Sequence, residues 1–398
     1  MSIESFDPFA QGWGEITYEQ MATLRRERPV AHTRSGFWYL ARYEDCRRAL
    51  GDSETFSNEG GLRGPGVVVP REERMINEMD APDHTRLRKL EQSTLNYGNF
   101  RSLEPFIRKL SEGLVHALAR NEEVDLVPTL VDPIPSQVAA HLIGVPVGDY
   151  VQFRAWTKEV CTSAWITDNR TERGEGLAGA HPEFADYIDT LAAERRASTQ
   201  APDDLLTRFV QAEIDGEQMS QVEIRIALAH LIIAGNDTTT HLLGNLLYRL
   251  IESPDLYARL RADRSLIPAA IEESLRFDAV VQLLTRRTRC EVEMSGVGIP
   301  AGARVVVGMA SANRDPEAFG SDADVFCVDR VDPPLHLTFG YGPHLCLGAN
   351  LARLEAEVMT NVLFDQVPHA KFMAGFEYQR LPAYWELGPQ ALRAELGS

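Results

Sequence analysis

The chain reads as a mainly α-helical enzyme with a minor β part. Three observations predict this. From about 83 to 278, apolar positions recur at helical spacing almost without a break. Within that region, residues 220–252 are too long and too apolar for a surface helix. After 278 the texture changes to short β-branched runs punctuated by Gly and Pro, and helical periodicity returns only over about 345–364.

The elements follow in order. Thr17 and Gln20 have capping-box spacing, so a helix is expected over about 18–28. Phe37-Trp38-Tyr39-Leu40 reads as a strand within a first β-rich part, about 28–42. Residues 59–70, EGGLRGPGVVVP, are expected to form a long loop bordering a site. Helices are expected over 83–95, 103–120, 135–144, 147–163, 182–197 and 203–214. Ser220 and Glu223 repeat the capping-box spacing, and apolar residues then run from Ile226 to Leu250. At 1.5 Å per residue this helix would be roughly 50 Å long, the length of one in the middle of a large helical protein. A second β-rich part is expected over about 285–310. There VGIPAGARVVV reads as a hairpin with Pro-Ala-Gly at its turn. Residues 311–337 lack periodicity and are expected to be irregular. The whole of 1–398 is expected to form one domain.

Composition narrows the function. Of 398 residues, 44 % are apolar and 25 % charged, ordinary values for a globular protein large enough to enclose a cofactor. The net charge of −18 weighs against nucleic acid, which needs clustered Lys and Arg, and against anionic membrane surfaces. The five cysteines are scattered, with no CxxC pair. That argues against a zinc ribbon and suits a reducing cytoplasm. The N-terminus lacks the pattern of a signal peptide, and no run reaches about 18 apolar residues. A soluble, cytoplasmic, monomeric protein is expected.

Three stretches carry chemistry. The first is Phe339-Gly340-Tyr341-Gly342-Pro343-His344-Leu345-Cys346-Leu347-Gly348. It puts one cysteine in a glycine-punctuated loop before a helix, where the helix N-terminus favours a thiolate. Its ordinary reading is an inert cysteine at a helix start. The second is Ala234-Gly235-Asn236-Asp237-Thr238, inside the long apolar helix. An acid beside hydroxyls is costly to bury there unless paired, and a Thr bonding back one turn can open the helix locally. Its ordinary reading is a kink. The third is Glu273-Ser274-Leu275-Arg276, an i, i+3 acid–base pair on one helix face. Its ordinary reading is a surface salt bridge.

In this order and at these separations, the three stretches resemble the cytochrome P-450 family: its oxygen-binding helix, its ExxR helix and its cysteine loop. The loop matches the family pattern FGxGxHxCxG at every fixed position, and LGANLARLE after Cys346 resembles the family's proximal helix. The resemblance spans roughly 15–395. It implies the P-450 fold, with haem b between the long central helix and the proximal Cys-loop helix. It implies Cys346 as the axial thiolate and sole metal ligand from the protein, and Asp237 and Thr238 as the acid–alcohol pair that handles oxygen and protons. Glu273, Arg276 and Arg330 would form the structural ion pair. His84, Arg88, Arg286 and His344 would bind the haem propionates; spacing to Glu293 favours Arg286 over Arg287. Thr288 and Cys290 depart from the residues common in relatives, Ala and Glu.

The implied activity is O2-dependent monooxygenation of a hydrophobic small organic substrate. Electrons would come from NAD(P)H through a ferredoxin reductase and a ferredoxin, since the chain has no Gly-rich flavin or nicotinamide fingerprint. A mostly apolar pocket is expected at His230, Ile233, Ala234, Gln282, Leu283 and Leu284, bordered by 60–70 and 155–180. A peroxide-driven haem-thiolate enzyme and a non-catalytic haem gas sensor are the alternatives; the Asp237–Thr238 pair disfavours both. Ferredoxins are acidic, so docking on a chain of net charge −18 is expected to use a local basic patch. Arg86, Arg88, Lys89 and Arg353 are the candidates.

Overall fold

The computed structural model describes residues 6–7, 17–59, 69–118, 123–162, 170–171, 174–381 and 385–397. It is mainly helical with a minor sheet part, as the sequence predicts. The chain forms two compact units. The larger comprises Met1–Ser57, Ile107–Asp132 and Thr238–Ser398, and the smaller Asn58–Phe106 and Pro133–Asp237.

In the larger unit a five-stranded sheet has the order Val30–His32, Phe37–Leu40, Arg304–Val307, Leu284–Thr288, Phe56–Ser57. Arg304–Val307 runs parallel to Phe37–Leu40 and antiparallel to Leu284–Thr288. Successive side chains of a strand face opposite ways. Val305 and Val307 therefore join Leu40, Phe56 and Cys46 in one core cluster, whereas Val306 joins Tyr39, Met21 and Leu24 in another. Burial on both faces explains why the strand reads as an unbroken valine run.

The hairpin expected over 292–307 is corrected. Val292–Met294 pairs with Val297–Ile299 around Ser295 and Gly296, whose φ values are 45° and 77°. A tight two-residue turn needs positive φ at both central positions, and these two residues supply it. The Pro-Ala-Gly stretch instead leads the chain into Arg304–Val307 of the five-stranded sheet.

Both capping boxes form. Thr17 and Gln20 hydrogen-bond reciprocally ahead of Tyr18–Glu27, as do Ser220 and Glu223 ahead of Gln221–Glu252. The latter helix has 32 residues, about 48 Å by its rise per residue. It runs unbroken through Gly235 and Thr238. The helix expected over 203–214 is shorter, Leu205–Gln211, because Glu213–Ile214 turns back at Asp215-Gly216 to pair with Glu217–Gln218. Among the described residues, no helix is long and apolar enough to cross a membrane. The loop expected over 59–70 falls mostly outside the described residues.

The irregular stretch after 311 is ordered around one buried charge. Glu273, on the helix Ile267–Phe277, accepts two hydrogen bonds from Arg276, at 2.8 and 2.7 Å. Arg330 Nε donates to the same carboxylate at 3.1 Å, and the Cys327 amide at 2.7 Å. The guanidinium groups also donate to backbone carbonyls, and Arg330 to the Asp322 carboxylate at 3.0 Å. Arg276 reaches those of Asn313, Ala323 and Val325, and Arg330 those of Phe319, Asp322 and Val325. The side chains of Glu273, Arg276 and Arg330 are 5 %, 3 % and 8 % exposed, so these charges are buried, not a solvated surface bridge. Breaking a buried pair by truncating one partner costs on the order of 3–5 kcal/mol. Arg276→Ala is therefore expected to unfold at markedly lower denaturant than the wild-type protein. A coincident midpoint would show that the pair does not hold the fold.

Candidate active site

The residues singled out from the sequence divide between the two units. The larger holds Cys346, His344, Thr238, Arg286, Gln282, Leu283 and Leu284 with the Glu273 cluster; the smaller holds His84, Arg88, His230, Ile233, Ala234 and Asp237.

The cysteine loop is a series of tight turns. Gly340 N–H donates to Leu337 O at 2.8 Å, Leu345 N–H to Gly342 O at 3.0 Å, and Cys346 N–H to Phe339 O at 2.9 Å. Gly340 and Gly342 take φ values of 75° and 74°, which suit glycine. Gly342 also lies against Gly51: a Cβ on it would sit 2.8 Å from the Gly51 Cα. The loop leads into the helix Ala349–Gln366, so the Cys346 thiol stands at a helix N-terminus. Cys346 is exposed and in no disulfide, and Leu345 beside it is a 47 % exposed apolar side chain.

The loop is tied down from both ends. Asn313 Nδ2 donates to Thr338 Oγ1 at 2.8 Å, while the Leu337 amide donates to Asn313 Oδ1 at 2.7 Å. Thr338 Oγ1 in turn donates to Leu275 O at 2.6 Å. On the far side, Arg353 of the proximal helix makes a two-pronged bond to Glu272, at 2.5 and 2.9 Å, and lies over the Phe339 ring at 4.6 Å. His336 Nε2 is 3.3 Å from the same carboxylate. Glu272, His336 and Asn313 were not foreseen from the sequence, where nothing distinguishes them from solvated side chains.

On the sheet, Arg286 is buried and Arg287 exposed, as their alternation along Leu284–Thr288 requires. Arg286 is therefore the inward-facing one of the two. Gln282 is buried and Leu284 half-buried, whereas Leu283 packs into the core cluster of Met21, Leu24 and Tyr39. In the smaller unit, His84 and Arg88 occupy one face of Asp83–Thr94 at i, i+4. Burial, with the Arg88 charge second, lowers the His84 pKa. Burial also brings His230 down to about 4, so its imidazole is neutral at pH 7. Asn236 Nδ2 donates to Asp237 Oδ1 at 2.8 Å, which orients the carboxylate. Ile233 is half-buried and Ala234 exposed.

Three of the four residues expected to form a basic patch lie beside acids. Arg86 is bonded to Glu223 and lies 3.4 Å from Glu217, Lys89 is 3.9 Å from Asp215, and Arg353 is bonded to Glu272. Their charges are locally neutralised, which a sequence carrying an excess of acid makes easy. A pH dependence follows for Glu272. Burial alone would raise its pKa, but the Arg353 and His336 contacts outweigh that and hold it at about 2, below the ordinary 4.5. The pair's stabilisation is therefore complete above about pH 4.5 and fades as pH falls toward 2. The stability gap between wild type and Glu272→Gln, read by thermal unfolding, should be constant near neutrality and close in acid. A gap independent of pH would contradict this.

Comparison with known proteins agrees with this geometry. The family model for cytochrome P450 matches residues 33–365. Cytochrome P450 107B1 of Saccharopolyspora erythraea is 35 % identical over 383 residues, 92 % of this chain and 91 % of that protein. The erythromycin C-12 hydroxylase of the same organism is 35 % identical over 350 residues, 85 % of this chain and 84 % of that protein. The crystal structure of cytochrome P450 CYP109Q5 from Chondromyces apiculatus superposes with a TM-score of 0.88 at 32 % identity, covering 99 % of each chain. The chain belongs to the cytochrome P450 family and is an oxidoreductase of the O2-dependent monooxygenase type.

Proposed function

We propose that this chain is a haem b monooxygenase that oxidises a hydrophobic small organic substrate with electrons delivered by a ferredoxin and its reductase. The observation that carries the reading is the exposed Cys346 at the start of the proximal helix, in a loop fixed by its own backbone bonds. The donor set fits the group. One soft thiol suits iron, an exposed leucine beside it suits an apolar macrocycle, and Arg286, His344, His84 and Arg88 suit two propionates. Bound there, a thiolate-ligated haem supplies the O2 activation, because the thiolate pushes electron density toward O–O cleavage.

The chain's own residues do the rest. As the family resemblance implies, Cys346 would ligate the iron, and Arg286, His344, His84 and Arg88 would neutralise the propionates. Asp237, steered by Asn236, passes a proton along the long helix to the hydroxyl of Thr238. For the substrate class, relatives are named for hydroxylating vitamin D(3) and erythromycin, and a neighbouring structure holds corticosterone. The apolar Ile233, Ala234 and Leu284 suit molecules of that kind. A cytoplasmic setting suits the scattered cysteines, which have no CxxC spacing.

Two substitutions test the reading. Cys346→Ala should bind haem poorly and lose the red-shifted Soret band of the reduced carbonyl complex; a retained band would move the ligand elsewhere. Thr238→Ala should keep haem and the substrate-induced spin shift. With a ferredoxin and reductase as donors, it should give several-fold less product per NADH oxidised, the remaining electrons reducing O2 to hydrogen peroxide. Undiminished coupling would remove Thr238 from proton delivery. Product formed equally well with peroxide alone would favour a peroxide-driven enzyme.

A further inference from the structure

One buried polar pair of the larger unit has no part in that reading. His241 follows Thr238 by three residues on the long helix, and its Nε2 lies 3.3 Å from Glu386 Oε2. The two residues are only 8 % and 5 % exposed. A carboxylate so far from water is costly unless a partner shares its charge or its proton. The pair therefore holds its two segments at a fixed separation.

The surrounding contacts are equally close. A Cβ on Gly388 would sit 2.4 Å from His241 Nδ1, so the backbone there lies directly against the imidazole. Pro389 fills the space beside Gly244, where a Cβ would meet its Cγ at 2.8 Å. Asn245 Nδ2 donates to Leu387 O at 3.0 Å. Residues 241, 244 and 245 stand at i, i+3 and i+4, one face of the helix, and Thr238 opens that face one turn earlier. On its other side the segment is bonded to the chain following the ExxR helix. Gln282 N–H donates to Trp385 O at 2.7 Å, and Leu387 N–H to Val280 O at 2.8 Å. Trp385 itself is 38 % exposed, a large apolar ring on a clamped backbone.

We propose that His241 and Glu386 are positioning residues that set substrate specificity, pinning residues 385–389 to the long helix one turn beyond Thr238. They act through the segment they hold, fixing where Trp385 and Gln282 stand, and do not touch the reacting atoms. This rests on the haem-thiolate reading of Cys346 and Thr238.

The test uses the haem-loaded full chain and three nitrogen ligands of graded size: imidazole, 4-phenylimidazole and 1-tritylimidazole. Binding is read from the Soret shift. His241→Ala and Glu386→Ala should change the Kd of the trityl compound by about tenfold, with imidazole nearly unaffected because it meets only the iron. The double variant should be no worse than either single one, since both remove the same pin. His241→Gln, which keeps a side-chain N–H donor, should largely restore the wild-type profile. Gly388→Ala should reproduce the loss in the wild-type background, since its Cβ would meet the His241 ring at 2.4 Å. If the alanine variants do not accumulate, His241→Gln and Gly388→Ala carry the comparison: trityl affinity kept in the first and lost in the second supports the pin. No change in any variant, or an equal change for all three ligands, would overturn it. A wild-type protein giving no Soret shift with imidazole would instead overturn the haem-thiolate reading, and the pin's role with it.

Discussion

The Glu273 carboxylate is surrounded by two guanidinium groups and a backbone amide, and the chain from Asn313 to Arg330 is wrapped around that arrangement. This stretch has one short helix, Pro316–Phe319, and its buried apolar side chains are Phe319, Ala323 and Val328, too few to give it a unique path by hydrophobic burial alone. Two arginines with fixed forks of donors do. Each anchors part of its fork on the carboxylate and distributes the rest among backbone carbonyls of the stretch and, for Arg330, the Asp322 carboxylate. The charge is thereby used to specify a backbone course.

The neighbouring residue extends the effect. Successive positions on a helix point about 100° apart, so Glu272 and Glu273 reach different parts of the chain. Glu273 orders residues 313–330, whereas Glu272 grips His336 and Arg353 on either side of the cysteine loop. Asn313 links the two by bonding both Leu337 and Thr338. One helix turn thus sets the position of the loop from both of its flanks, and the loop's glycines and internal bonds set the place of Cys346. A thiolate ligand has to be held in place before the cofactor's chemistry can be tuned.

Much of this was legible in the sequence, and the reasons are physical. The long helix announced itself by capping box and continuous apolarity, and the cysteine loop by glycines whose positive φ few other residues tolerate. Arg286 was favoured over Arg287 by its spacing to Glu293, and strand alternation puts the two on opposite faces, with Arg286 the buried one. Other features were missed for equally definite reasons. Both Ser295-Gly296 and Asp215-Gly216 are tight-turn pairs, but Pro300-Ala301-Gly302 offered a competing turn in the first case and helical periodicity masked the second. Glu272, His336 and Asn313 meet only through tertiary contact, which no local spacing encodes. The acidic neighbours of Arg86, Lys89 and Arg353 were hidden for the same reason: which acid the fold brings to a surface cation is not written in local spacing.

The central claim is that the buried charge cluster positions the cysteine loop. Amide hydrogen exchange in Arg330→Gln, compared with the wild-type protein, tests it most directly. Faster exchange is predicted at Cys327, which donates to Glu273, and also at Leu337 and Cys346, which touch neither residue. The amides of the Val292–Ile299 hairpin should be unaffected. If exchange at Leu337 and Cys346 matched the wild type while Cys327 opened, the cluster would be holding its own loop alone, and the account would be wrong.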